Sequence, residues 1–163
     1  LPVSFFGAVG LTRALGGDGD APLAALVAYA MASVAVMIAA VASGLLAPGL
    51  AGQMAASSGT EHDLAAALFH YTGSINQAFA KVYVVAASMA ILLWSAAILA
   101  HGRLARAAGA YGVIVSVLAV LALAIGHLRL DVHGFGAVVL AEGAWFIAIG
   151  ILLARRRPGA ATP

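Results

Sequence analysis

The sequence contains no cysteine and very little charge, and each of these shortages excludes a class of protein. Without cysteine the chain cannot form disulfides, thiolate zinc sites, iron–sulfur clusters or thioether-linked haem. Charged residues make up only 9% of the 163 residues, whereas 64% are hydrophobic. A soluble domain is roughly 25% charged and 45–50% apolar, so this chain could not cover itself with polar surface in water. The composition therefore predicts an all-α, polytopic membrane protein.

Recognisable catalytic and nucleic-acid-binding motifs are also missing. The glycine-rich stretches GGDGD and GLAGQ lack the lysine and the strand context of a phosphate-binding loop. No Ser-His-Asp set and no DNA- or RNA-binding module can be placed on the sequence. The net charge of +2 is too small to mark a nucleic-acid surface. We therefore expect no nucleic-acid partner, assign no catalytic residue and favour a non-enzymatic protein.

Four long apolar segments are each long enough to cross about 30 Å of hydrocarbon as a helix. Pro48 and Gly49 are expected to end the first of them, and a polar connection follows. Short loops join the last three, which should therefore be antiparallel neighbours. The predicted bundle is a single membrane domain over 1–163, with an interfacial or truncated segment at 1–21 and spans at about 22–46, 66–100, 107–126 and 132–154.

The positions of the arginines predict how this bundle is oriented. Arg103 and Arg106 lie between the second and third spans, and a run of three arginines, Arg155–Arg157, follows the fourth. Loops rich in Lys and Arg stay in the cytoplasm, so both termini are predicted to be cytoplasmic. Together with the alanine-rich composition, this pattern is typical of a multi-pass protein of the bacterial inner membrane. The lipid bilayer is accordingly the first expected partner.

A stripe of polar residues follows one face of the second span. Its steps of three, four and seven residues match the period of an α-helix, and its members are His70, Ser74, Gln77, Lys81, Ser88 and Ser95. Polar groups that face lipid are costly, because hydrocarbon offers them no hydrogen bonds. The stripe is therefore predicted to form a seam that faces protein or a water-filled cavity.

Glu142 in the fourth span is the expected partner of Lys81. Eleven residues separate His70 from Lys81, and eleven also separate Asp131 from Glu142. An 11-residue step returns a helix to nearly the same face. If His70 and Asp131 lie at the same depth, Lys81 and Glu142 therefore also lie at the same depth. We predict that Lys81 and Glu142 pair, directly or through water or another polar group. The pair could be structural or part of a proton, ion or substrate path, or Lys81 could instead snorkel to the interface.

Histidines are concentrated toward the membrane face opposite Arg103, Arg106 and Arg155–Arg157, and Arg129 is an exception that lies beside them. His70, His127 and His133, together with Asp131, are candidate ligands for one transition metal or one haem b. Their spacing matches no recognised metal motif, and a di-haem cytochrome would need paired histidines at two depths. The sequence therefore allows at most one such group.

Three classes of function remain open. The leading hypothesis is an accessory subunit or binding protein of a larger membrane assembly, because many small residues favour close packing with other subunits or self-association. The second is a haem- or metal-binding redox protein that uses the outer histidines. The third is a proton-coupled transporter or membrane enzyme that uses Lys81 and Glu142. No pattern in the sequence identifies a substrate or an oligomeric state.

Overall fold

The computed structural model describes residues 2–16, 19–102, 104–126 and 132–155. Throughout these ranges the regular structure is helical, with α1 (Pro2–Ala14), α2 (Asp20–Val41), a π-helical turn (Ala42–Leu46), α3 (Ala47–Ala56), α4 (Thr60–His101), α5 (Arg106–Ala124) and α6 (Val132–Arg155). Four helical segments are long and apolar enough to cross a bilayer: 20–56, 60–101, 106–124 and 133–155. The predicted all-α class and its four membrane-capable helices are thereby confirmed.

The first long helix continues through Pro48, contrary to the expectation that this proline would end it. α2 runs into the π-helical turn Ala42–Leu46, and α3 begins directly after that turn. A proline lacks the N–H of a helical hydrogen bond, and its ring crowds the carbonyl group four residues earlier. The wider turn just before Pro48 accommodates both effects. The polar connection to the next long helix therefore shrinks to residues 57–59.

α4 is much longer than a bilayer requires. Its 42 residues extend about 63 Å at the helical rise, roughly twice the thickness of the hydrocarbon layer. It ends at Gly102, whose φ of 61° is a left-handed conformation that glycine adopts without strain. The N–H of Gly102 donates to the carbonyl oxygen of Ile98 and caps the helix.

The bundle has two unequal parts. In the four-helix part, α5 and α6 pack alongside α4 from Ala80 to His101, with α2 also packed against α4. At the far end of this part, Leu123 of α5 and Phe135 of α6 pack beside Ala80 and Val84. The remaining hairpin, residues 42–56 and 60–79, extends past the level where α5 and α6 end. We call this hairpin the arm.

The largest buried side chains gather near the opposite end of the four-helix part, which we call the arginine end because Arg106 and Arg155 lie there. Trp94 and Trp145 stack with their ring centroids 6.2 Å apart. The Trp94 Nε1–H donates to Thr12 Oγ1 of α1 at 3.1 Å. The N-terminal segment thus contributes a helix that packs on the bundle at the arginine end.

Candidate functional site

Glu142 lies within α6 and is the most deeply buried ionisable group of the four-helix part among the residues described, with only 2% of its surface exposed. The Tyr83 hydroxyl donates to Glu142 Oε2 at 3.2 Å, and the Ser88 hydroxyl donates to Oε1 at 3.1 Å. Both donors belong to α4. A buried carboxyl group is costly unless it is hydrogen-bonded, so these two hydroxyls satisfy Glu142 and link α6 to α4.

The direct pair of Lys81 with Glu142 that the sequence predicts is replaced in the structure by these two hydroxyl contacts. Lys81 is exposed on α4, whereas Glu142 is buried. Ser88 follows Lys81 by seven residues, about 10 Å along the helix. α6 is therefore packed about two helical turns closer to the arginine end than the alignment of His70 with Asp131 implied.

Indole packing determines this position of α6. Trp145, three residues after Glu142, is fully buried and stacks on Trp94 of α4. Its Nε1–H also donates to the carbonyl oxygen of Ala108 at 3.0 Å, which ties α6 to α5. The stacking of the two rings and the hydrogen bond of the buried N–H both depend on the position of α6. A shift of α6 along α4 would therefore break several contacts at once.

Gly112 allows α5 to approach the same cluster. A Cβ atom at this position would collide with Ser95 Oγ and with Trp145 Nε1. Small residues at helix contacts let backbones come close in membrane bundles. Gly112 is therefore required for the close contact of α5 with α4 and α6 around the indole rings.

The polar stripe on α4 divides near Ala80 into a buried and an exposed half. Ser88 and Ser95 are 1% and 0% exposed. The other members, His70, Ser74, Gln77 and Lys81, are exposed and together line a shallow surface depression. The stripe does lie along one side of α4, but that side is covered only where α5 and α6 reach it.

Tyr83 belongs to the site although the sequence pattern does not single it out. On a helical wheel it lies about 140° from Ser88, outside the polar stripe. The Glu142 carboxyl group reaches both residues because α6 packs on the part of α4 between them. The Tyr83 ring is held by Phe135 of α6, with the ring centroids 5.6 Å apart. This arrangement becomes evident only once α4 and α6 are placed side by side.

Ser95 and Ser116 carry the buried side-chain oxygens that lack a hydrogen-bond partner within the described part of the chain. Ser116 lies on α5 and lines, together with Ser88 of α4, a groove of about 250 Å³ between these helices. No spacing in the sequence marks Ser116, because its surroundings depend on how α5 packs against α4.

Two of the histidines are engaged locally. A ring nitrogen of His62 lies 3.0 Å from the carbonyl oxygen of Met54, across the tip of the arm. A ring nitrogen of His101 lies 2.9 Å from the carbonyl oxygen of Ala97, one turn earlier in α4. Both contacts are typical of structural histidines near helix ends.

Of the histidines proposed as metal or haem ligands, His70 and His133 lie within the described residues. His70 and His133 are both exposed, on α4 and near the start of α6. Over the ranges that the structure describes, no group of three His, Asp or Glu side chains could hold a metal. His127 and Asp131 lie outside these ranges. Metal or haem binding at these positions stays a prediction.

The fold and the site define an all-helical bundle with four membrane-capable helices and a hydroxyl-bonded carboxyl group in its interior. Compared with known proteins, the chain matches no protein-family model, no curated protein and no solved structure. Its function is therefore inferred from its own residues.

Proposed function

We propose that this chain is a multi-pass protein of the bacterial inner membrane that acts as an accessory subunit or binding protein in a larger membrane assembly. The observation that carries the proposal is the arm, which exposes polar and apolar side chains together. The arginine end would lie in the cytoplasm, as the charge pattern indicates, and the arm would extend from the opposite face.

Neither water nor lipid alone suits the surface of the arm. Leu45, Leu64 and Tyr71 are 71%, 62% and 65% exposed, and in water they would form an unfavourable apolar patch. His70 is exposed on the arm part of the polar stripe, and in hydrocarbon a polar imidazole ring would be costly to bury. A protein partner with a mixed surface can cover both kinds of side chain, which supports a role in an assembly.

The arm also has little interior of its own. α3 contains no buried residue. On the arm side of α4, the buried residues are the small Ala65 and Thr72. Helices in water or lipid depend on tertiary packing for most of their stability, so contact with a partner would stabilise the arm substantially.

The Glu142 centre has a positioning role in this proposal. Hydrogen bonds between polar side chains help to hold membrane helices together, and Glu142 makes two such bonds from α6 to α4. The transporter or enzyme hypothesis has less support, because it relies on Lys81 and Glu142 in one site. The exposed Lys81 and the hydroxyl partners of Glu142 favour the structural role.

Site-specific photocrosslinking in native membranes tests the proposal. A photoreactive amino acid would replace Ser74 or Leu64 in the arm, and Leu140 or Ile147 in α6 as controls that are 75% and 66% exposed. We expect discrete protein products from the two arm positions and mainly lipid adducts from the two controls. The products would be identified by mass spectrometry as a second copy or as a different subunit.

A matched pair of double variants tests whether that contact holds an assembly together. Leu64→Ala with Tyr71→Ala should reduce the mass of the complex extracted in mild detergent, whereas Leu140→Ala with Ile147→Ala should leave it unchanged. Equal labelling at arm and control positions, or a complex that is indifferent to the arm variant, would contradict the proposed role.

A further inference from the structure

A groove lies on the surface of the four-helix part, between α4 and α5. Its walls are apolar and include Val85 and Met89 of α4 and Val117 and Leu121 of α5, and its volume is about 250 Å³. These four side chains are 41% to 53% exposed, so the groove is open along its length. An α-helix about 10 Å wide with a pitch of 5.4 Å occupies roughly 420 Å³ per turn, more than this groove holds. A single extended hydrocarbon chain suits the groove better.

Lys81 lies at the end of the groove that points toward the arm. It precedes Val85 by one helical turn on the same side of α4. The buried Glu142 carboxyl group is already bonded to Tyr83 and Ser88. The ammonium group of Lys81 is therefore available to an external anion.

The level of Lys81 matches the edge of a bilayer. α5 and α6 contain 19 and 24 residues, which correspond to about 28 and 36 Å of helix, close to the hydrocarbon thickness of about 30 Å. α5 ends and α6 begins beside Ala80 and Val84 of α4. Lys81 thus lies where lipid headgroups begin, and Val85 and Met89 lie below it in the hydrocarbon.

The groove offers an occupant hydrocarbon contacts and almost no hydrogen bonds. Ser88 already donates to Glu142 Oε1, and the Ser116 hydroxyl oxygen is buried beneath the groove surface. Below Lys81 the groove therefore suits an apolar chain.

We propose that this groove binds one anionic phospholipid. The phosphate pairs with Lys81, and an acyl chain lies against Val85, Met89 and Val117. This site is separate from the partner surface of the arm and does not depend on that proposal. Juxtamembrane lysines attract anionic lipids, and the groove adds a defined place for the chain.

Native mass spectrometry of the delipidated full chain, titrated in detergent with dioleoyl-phosphatidylglycerol or dioleoyl-phosphatidylcholine, tests this site. We expect one phosphatidylglycerol to bind at a lower concentration than phosphatidylcholine. Lys81→Gln should weaken phosphatidylglycerol binding about fivefold and leave phosphatidylcholine binding unchanged. Val117→Trp should fill the groove and weaken binding of both lipids by about tenfold or more.

Two control variants match these changes outside the groove. Arg155→Gln removes one positive charge at the arginine end, and Leu118→Trp adds an indole at a neighbouring residue of α5 that is 61% exposed. Both should bind phosphatidylglycerol as the wild type does. Circular dichroism would establish that all four variants retain the helical fold.

Several outcomes would overturn the site. Equal affinity for the two lipids would exclude recognition of the headgroup charge, and equal losses in Lys81→Gln and Arg155→Gln would reduce the effect to general electrostatics. Wild-type binding by Val117→Trp would exclude an acyl chain in the groove. A change in the number of protein copies per complex in that variant would show that protein, not lipid, occupies the groove.

Discussion

The four-helix part and the arm share the same two long helices, yet the arm has few buried residues and the four-helix part has an aromatic core. On α4, the buried residues before Ala80 are Ala65 and Thr72, whereas later residues include the fully buried Ile91 and Trp94. The helix is continuous through both parts. The comparison shows that the burial of an α4 residue depends on whether α5 and α6 reach its level, and that the helix's own pattern does not decide it.

The largest expected difference in stability is between variants that lack an aromatic side chain in one part or the other. Trp145→Ala removes a fully buried, stacked indole and should lower the free energy of unfolding by about 3–5 kcal/mol. Tyr71→Ala removes a ring that is 65% exposed on the arm and should change it by less than about 0.5 kcal/mol. Unfolding by sodium dodecyl sulfate from mild detergent, followed by circular dichroism, measures both values. Similar losses in the two variants would contradict the division into two parts.

Glycines provide a second, smaller contrast. Gly112→Ala introduces a Cβ against Ser95 and Trp145 and should destabilise the bundle by about 1–3 kcal/mol. Gly73→Ala lies in the arm half of α4 with no atom within 4 Å of the new Cβ, and it should stabilise the helix by about 0.5–1 kcal/mol. The same detergent unfolding assay applies. A neutral Gly112→Ala would show that the approach of α5 to the indole rings is looser than described.

Two serines on the same side of α4 give a third contrast. Ser88→Ala leaves Glu142 Oε1 without its donor in a buried site and should cost about 1–2 kcal/mol. Ser74 is exposed and donates to the carbonyl oxygen of His70 in its own helix, so Ser74→Ala should change stability by less than about 0.5 kcal/mol. Thermal unfolding of both variants in one detergent would compare them directly. Equal effects would indicate that Glu142 does not depend on Ser88.

The smallest effect is a coupling energy, and it separates the observed partner of Glu142 from the predicted one. A double-mutant cycle of Tyr83→Phe with Glu142→Gln should give a coupling of about 1 kcal/mol, because the two side chains share a hydrogen bond. The cycle of Lys81→Gln with Glu142→Gln should be additive within about 0.5 kcal/mol. A larger coupling for Lys81 than for Tyr83 would restore the pair predicted from the sequence.

Much of the candidate site could be predicted from the sequence, and the remainder follows from contacts between distant segments. Glu142 and Ser88 stand out in the sequence because polar residues are rare in spans of this kind. Tyr83 and Ser116 do not stand out, since each becomes significant only through the helix packed against it. The continuation of the first helix through Pro48 also escaped prediction, because a wider helical turn accommodates the proline ring.

By itself, the sequence determined that this chain forms apolar helices long enough to cross a bilayer and that polar residues share one side of α4. These properties depend on composition and on the period of a single helix. Only the tertiary structure decided that Glu142 meets Tyr83 and Ser88 and that Lys81 stays exposed. The reason is that the position of α6 along α4 is set by the packing of Trp94 on Trp145 and by the close approach of α5 at Gly112, and residues so far apart in the chain give no periodic signal.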